Sequence, residues 1–167
     1  MNGELEAAGA GRWNLRFTRR LAHPVDRVWR AITQTEHLQA WFPQTIKGDL
    51  LRPGAALRFE SEYGDFDGEV LAVEPPRLLE FLWGTDTIRF EVAAADSGSV
   101  LTLVDTIDEL GKAARDAAGW HACLDLLELE LAGTTPTWTS QERWKTVHPG
   151  YVDAFGPEAA TLGPPVT

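Results

Sequence analysis

The chain has 167 residues, 44% of them apolar, and a net charge of −10 from 25 acidic and 15 basic side chains. That size suits one domain with a substantial core, and the acidity argues against DNA, RNA or an anionic membrane surface as a partner, since each asks for a basic footprint. Cys123 is the only cysteine, so no intrachain disulfide and no cysteine-based metal site is expected; no signal-like or bilayer-length apolar run is visible, and a cytoplasmic protein is the simplest expectation.

Residues 1–12 are rich in Gly, Ala and Glu and read as a flexible N-terminus. Trp13 to Arg19 alternates apolar and polar, the period of a half-buried strand. Pro24 opens a helix with Val25, Val28, Trp29 and Ile32 on its inner face. Thr35 is placed to cap a second short helix, Glu36 to Phe42, which Pro43 ends. Short strands punctuated by turns follow: Ala55 to Glu62, Phe66 to Val73, Arg77 to Trp83, Thr87 to Val92 and Ser99 to Ile107. Their even spacing implies an antiparallel meander.

The stretch from Lys112 to Gly133 reads as one long amphipathic helix, roughly 30 Å long at about 1.5 Å per residue. Ala113, Ala117, Trp120, Leu124, Leu127 and Leu131 share one face. Asp116, Asp125, Glu128 and Glu130 fall mostly elsewhere and are expected to keep the back of the helix wet. Gly133 is a natural stop, with Pro136 shortly after. Beyond it, 134–155 is an aromatic extension carrying Trp138, Trp144, Tyr151 and Phe155. Ser140 would cap a short helix, Gln141 to Val147, and Pro149 would start another to Phe155. Docking back onto the domain is the expected purpose, with a lid over a pocket or a homodimer contact as alternatives. Residues 156–167 read as a flexible tail.

Helices segregated from antiparallel strands make an α+β two-layer domain. A curved sheet wrapped around one long helix leaves a gap wherever the facing side chains do not fill it, and small ligands bind in such gaps. Four stretches sharpen this: HPVDRVWRAIT with EHLQAWFP (His23 to Pro43), GEVLAVEPPRLLEFLWG (Gly68 to Gly84), SVLTLVDTID (Ser99 to Asp108), and AARDAAGWHACLDLLELELAG. In this order the chain resembles the helix-grip SRPBCC domains, related to START domains and the birch-pollen allergen, and within them the branch named after the activator of the ninety-kilodalton heat-shock-protein ATPase. The resemblance covers about Trp13 to Gly133 and implies a helix-grip domain over 13–133. It is weakly specific for function, because this fold serves lipid carriers, hormone receptors, polyketide cyclases, hydrolases and chaperone regulators.

The chemistry-bearing motifs are sparse. No phosphate loop, nucleophile elbow, paired-histidine helix or cysteine pair is present. The four histidines have no ligand spacing, so no metal and no cofactor is expected. Asp105 shares a strand face with Leu101 and Leu103, and His121 lies on the long helix above it. If the two meet, the carboxylate orients the imidazole and raises its pKa, giving an acid/base pair or a polar anchor. The bland alternative pairs His121 with Asp125 at the helix surface and lets Asp105 reach solvent at a sheet edge. Trp41, Phe42, Phe59, Trp83, Phe90 and Trp120 are candidates for a pocket wall, together with Leu124 and Leu127, or they simply fill the core. Cys123 has no cationic neighbour in sequence to lower its pKa, so a nucleophile role is not expected.

The expectation is a domain that binds a small hydrophobic or aromatic ligand between sheet and long helix, with no catalytic set assigned. One rival is a cofactorless polyketide cyclase, aromatase or hydrolase working through Asp105 and His121. Another is a module that regulates a chaperone or docks another protein through the acidic surface.

Overall fold

The structure is a computed structural model, described over residues 2–163. Eight antiparallel strands form one open, curved sheet: β1 (Glu4–Gly9), β2 (Arg12–Leu21), β3 (Thr45–Lys47), β4 (Ala56–Ser61), β5 (Gly64–Glu74), β6 (Leu78–Trp83), β7 (Asp86–Ala95) and β8 (Gly98–Ile107). Their spatial order is β1-β2-β8-β7-β6-β5-β4-β3, so the meander from β3 to β8 ends beside β2. Helices α1 (Val25–Thr33) and α2 (Thr35–Trp41) span the crossing from β2 to β3. A 3₁₀ turn, Leu110–Lys112, leads into α3 (Ala113–Ala132), which lies in the grip of the sheet, and α4 (Ser140–Phe155) packs along the back of α3.

Period two sets the inner face. Leu15 and Phe17, Leu57 and Phe59, Leu79 and Phe81, Ile88 and Phe90, and Leu101 and Leu103 are all buried, each pair two residues apart on its strand. The expected stripe of α3, from Ala113 through Trp120 to Leu131, is buried against them. Gly133 ends the helix in the left-handed conformation, φ 68°, while Thr134 N–H reaches back to Leu129 O at 2.9 Å. That conformation favours glycine. No helix among the described residues is long and apolar enough to cross a membrane.

Several expectations need correction. The N-terminal segment is not loose: Glu4–Gly9 pairs with β2 through a tight turn in which Gly9, Ala10 and Gly11 all have positive φ. The extension holds one continuous helix with Pro149 inside it, not two short ones. Its cap is Thr139 rather than Ser140; Thr139 forms a reciprocal capping box with Glu142. Thr35 caps nothing through its side chain. Pro157–Ala160 forms a 3₁₀ turn, and Leu162 N–H bonds Gly111 O at 3.0 Å, so the start of the expected loose tail is anchored; 164–167 lie outside the described residues. The back of α3 is wet only in part: the side chains of Asp116 and Asp125 are each 15% exposed, while Glu128 and Glu130 stay at 41% and 32%.

Candidate functional site

The interior between sheet and α3 is filled with rings. Phe59 and Phe81 stack at 5.7 Å between centroids, Trp41 meets Phe90 edge-on at 5.9 Å, and Phe42 lies 5.7 Å from Trp120. Trp41, Phe42, Phe59, Phe90, Leu124 and Leu127, expected in a pocket wall, are parts of this packed core. Trp83 and Trp120 are not confined to it. They reach the edge of the core and line a half-open cleft of about 440 Å³ that also borders α4.

The cleft is lined by α3 and the start of α4, with Pro43, Gln44 and, from the β4–β5 turn, Tyr63 also at its wall. Helical spacing builds its wall, since Asp116, Gly119, Trp120 and Cys123 follow one another at three and one. Gly119 is open above: a Cβ placed there meets no atom within 4 Å. The helix backbone therefore forms part of the floor. From α4, Trp144 adds a second aromatic face, stacked on His148 at 4.2 Å. Across the floor, Trp83 and Trp120 rings lie 5.2 Å apart at 52°.

All three indole N–H groups in the cleft are already used. Trp83 Nε1 donates to Gln44 Oε1 at 3.0 Å, Trp120 Nε1 to Asp105 Oδ2 at 2.9 Å, and Trp144 Nε1 to Arg115 O at 3.0 Å. The rings thus offer faces and edges to the cleft, not donors. Polar groups at its margin are Asp116, Arg115, Lys145 and Gln141, the last bonded through Nε2 to Tyr63 Oη at 3.0 Å. Cys123 also lines it, but burial pushes its thiol up to about 12, which keeps the sulfur protonated and unreactive. A second groove of about 360 Å³ lies between the α1–α2 junction and the loop after β3, lined mainly by hydroxyls and amides such as Thr33, Gln34 and Gln39. None of the expected site residues falls in it.

The expected pairing of Asp105 with His121 does not form. Asp105 on β8 faces Trp120 instead, because Trp120, not His121, projects from α3 toward that strand. Asp105 is fully buried and takes its hydrogen bond from Trp120, so it does not reach solvent either. Burial first, then the negative charges of Asp86 and Asp116, push its carboxyl well above the usual range, against the pull of the Trp120 N–H. His121 faces α4. Tyr151 Oη accepts the Gly3 N–H at 2.8 Å and lies 2.7 Å from His121 Nδ1. If Tyr151 donates there, the imidazole proton sits on Nε2, which lies 3.5 Å from Asp125 Oδ2. Arg19 and Arg143 both bond Asp125 at 2.7 Å and hold its carboxyl below the usual range against burial. Burial lowers the His121 pKa, opposed by Asp125 and aided by Arg19 and Arg143. This network ties Gly3, just ahead of β1, to β2, α3 and α4 rather than opening onto the cleft.

Sequence reasoning missed Trp144 as a wall of the site, having read the extension as docking. It missed Gly119 as a floor, where the signal was a glycine inside a strong helix. It also missed a carboxylate cluster beneath the cleft, Asp86, Asp105 and Asp116, each of which has one oxygen within 4.8 Å of the others.

Comparison with known proteins follows the fold. The family model described as "Activator of Hsp90 ATPase homolog 1-like protein" matches residues 22–132. Among solved structures, a conserved protein of unknown function from Enterococcus faecalis is 17% identical with a TM-score of 0.74, over 91% of this chain and 89% of that one. CalU16 from Micromonospora echinospora is 21% identical with a TM-score of 0.71, over 93% and 99%. DynU16, a protein in the dynemicin biosynthetic locus, is 25% identical with a TM-score of 0.66, over 76% of this chain and 50% of that one. No curated protein matches the sequence.

Proposed function

The chain belongs to the Activator of Hsp90 ATPase homolog 1-like family, within the helix-grip SRPBCC domains, and on that premise we propose that it binds a small, flat, mainly apolar molecule in the cleft between α3 and α4. The observation that carries this reading is the state of the three tryptophans: Trp83, Trp120 and Trp144 line one cleft with every indole donor turned into the protein. Such a wall rewards stacking and bulk and gives little to a ligand that needs donors along its length. The volume falls within the range of about 300–1,000 Å³ usual for small-molecule sites. Asp116, Lys145 and Gln141 at the margin would fix the orientation of a polar substituent. DynU16 is named for a biosynthetic locus, which accords with a small-molecule partner. The cyclase or hydrolase alternative loses its expected acid/base pair, since Asp105 and His121 have different partners.

Gly119 gives a test that separates binding from folding. Gly119→Leu places a side chain in open space, blocks the floor, and replaces a helical glycine, which should raise stability by about 0.5–1 kcal/mol. With the uncharged probe N-phenyl-1-naphthylamine, the wild type is expected to bind with a fluorescence gain and Gly119→Leu to bind at least about tenfold more weakly, a loss of about 1.4 kcal/mol. Equal binding by a stabilised Gly119→Leu would place the ligand elsewhere and end the proposal.

A further inference from the structure

Beneath the cleft, Asp86 opens β7, Asp105 lies in β8 and Asp116 in the first turn of α3. One carboxylate oxygen from each lies within 4.8 Å of the other two. Oxygens in the shell of a single hard cation, bound at about 2.0–2.6 Å, stand at most roughly 4–5 Å apart, so one ion can touch all three. The side chains are also held as ligands are held. Lys112 Nζ bonds Asp86 Oδ1 at 2.8 Å, Trp120 Nε1 bonds Asp105 Oδ2 at 2.9 Å, and Arg115 Nε bonds Asp116 Oδ1 at 2.8 Å. Each donor holds one oxygen of its carboxylate, as outer donors hold metal-binding carboxylates.

An observation independent of the clustering points the same way. Asp105 is 0% exposed, and its Oδ1 has no hydrogen-bond partner among the described residues. A buried carboxylate oxygen left bare is costly, and native structures seldom tolerate one without an ion, a water or a proton. Lys112 also reaches Asp108 at 3.0 Å, so its single charge is shared between two carboxylates.

We propose that Asp86, Asp105 and Asp116 form a site for one divalent cation of the oxygen-preferring class, Mg²⁺, Ca²⁺ or Mn²⁺. Carboxylates without sulfur or imidazole suit these ions rather than Zn²⁺ or Cu²⁺. The ion would enter past Asp116, the member of the set that lines the cleft. The site stands whether or not the cleft binds an apolar ligand.

The test uses Mn²⁺ as the probe and the loss of the free-ion electron paramagnetic resonance signal as the readout, on the full chain after chelator treatment. Wild type is expected to take up one equivalent, displaceable by Mg²⁺ or Ca²⁺. Asp116→Asn, checked for native circular dichroism, is expected to weaken uptake by about tenfold or more. Asp153→Asn, at an exposed position on α4, is expected to leave it unchanged. Absence of uptake by wild type at millimolar Mn²⁺ would overturn the proposal. So would uptake reduced equally by Asp153→Asn and Asp116→Asn, which marks a diffuse acidic surface. A chain that ignores Mn²⁺ but is stabilised by Asp105→Asn would show that a shared proton, not a metal, occupies the cluster, and would also overturn it.

Discussion

Trp120 and His121 are neighbours in sequence and serve opposite sides of α3. A residue turns about 100° per step on a helix, so the ring that reaches Asp105 and the ring that reaches Tyr151 cannot share a partner. The sequence marked Asp105 and His121 as polar groups in apolar surroundings and Trp120 as part of the apolar stripe of α3. It offered His121 as the partner of Asp105, whereas the choice between two adjacent side chains depends on the rotation of the helix to within half a step. His121 carries a pH consequence. Its folded pKa is lowered, by burial first, with Arg19 and Arg143 adding to burial and Asp125 opposing it. Below the ordinary imidazole value of about 6.5 the unfolded chain therefore binds more protons than the folded one. Stability should be unaffected by this group above that value and should fall as pH drops through 6.5 toward the folded pKa. Urea unfolding at pH 7.5 and 5.5 is expected to show a smaller loss in His121→Gln than in wild type. His148, lowered by its own burial, contributes equally to both. Identical losses would mean that the imidazole is not held neutral.

Elements with a strong period were the legible ones. α3 runs from Ala113 to Ala132 within the Lys112–Gly133 stretch that its apolar spacing marks, and the five meander strands appear where alternation and turns place them. The strands that escaped notice lack that signal. β3 has three residues, and β1 reads ELEAAG, with small and acidic residues on an exposed edge; only the Gly-Ala-Gly turn hinted at a hairpin. α4 was read as two helices because Pro149 looks like a start signal, whereas tertiary packing on α3 carries the helix through it. That packing can be tested from the cap. Thr139→Ala removes a capping box and should cost about 1 kcal/mol. Cys123, buried between α3 and the cleft, reports on the same event. If undocking of α4 exposes the thiol, labelling by a disulfide reagent should accelerate about fivefold in Thr139→Ala, the factor that 1 kcal/mol gives. Unchanged labelling would mean that reagent reaches Cys123 through the cleft while α4 stays in place.

For the molecule as a whole, the two-layer fold was legible and the position of the cleft was not. Patterning tells which side chains face inward. It does not tell whether their summed volume fills the space, and here Trp41, Phe42, Phe59, Phe81 and Phe90 fill it. The helix grip therefore closes on these packed rings, and the open cleft lies at the edge of the core, where α4 and a glycine leave room. The most direct measurement is a ¹⁵N–¹H spectrum of the indole groups of the seven tryptophans, titrated with N-phenyl-1-naphthylamine. The account requires the Trp83, Trp120 and Trp144 signals to move together while Trp41, bonded to Ala31 O in the core at 2.9 Å, stays still. Movement of Trp41 with Trp83 and Trp144 unperturbed would put the ligand between sheet and helix and contradict it.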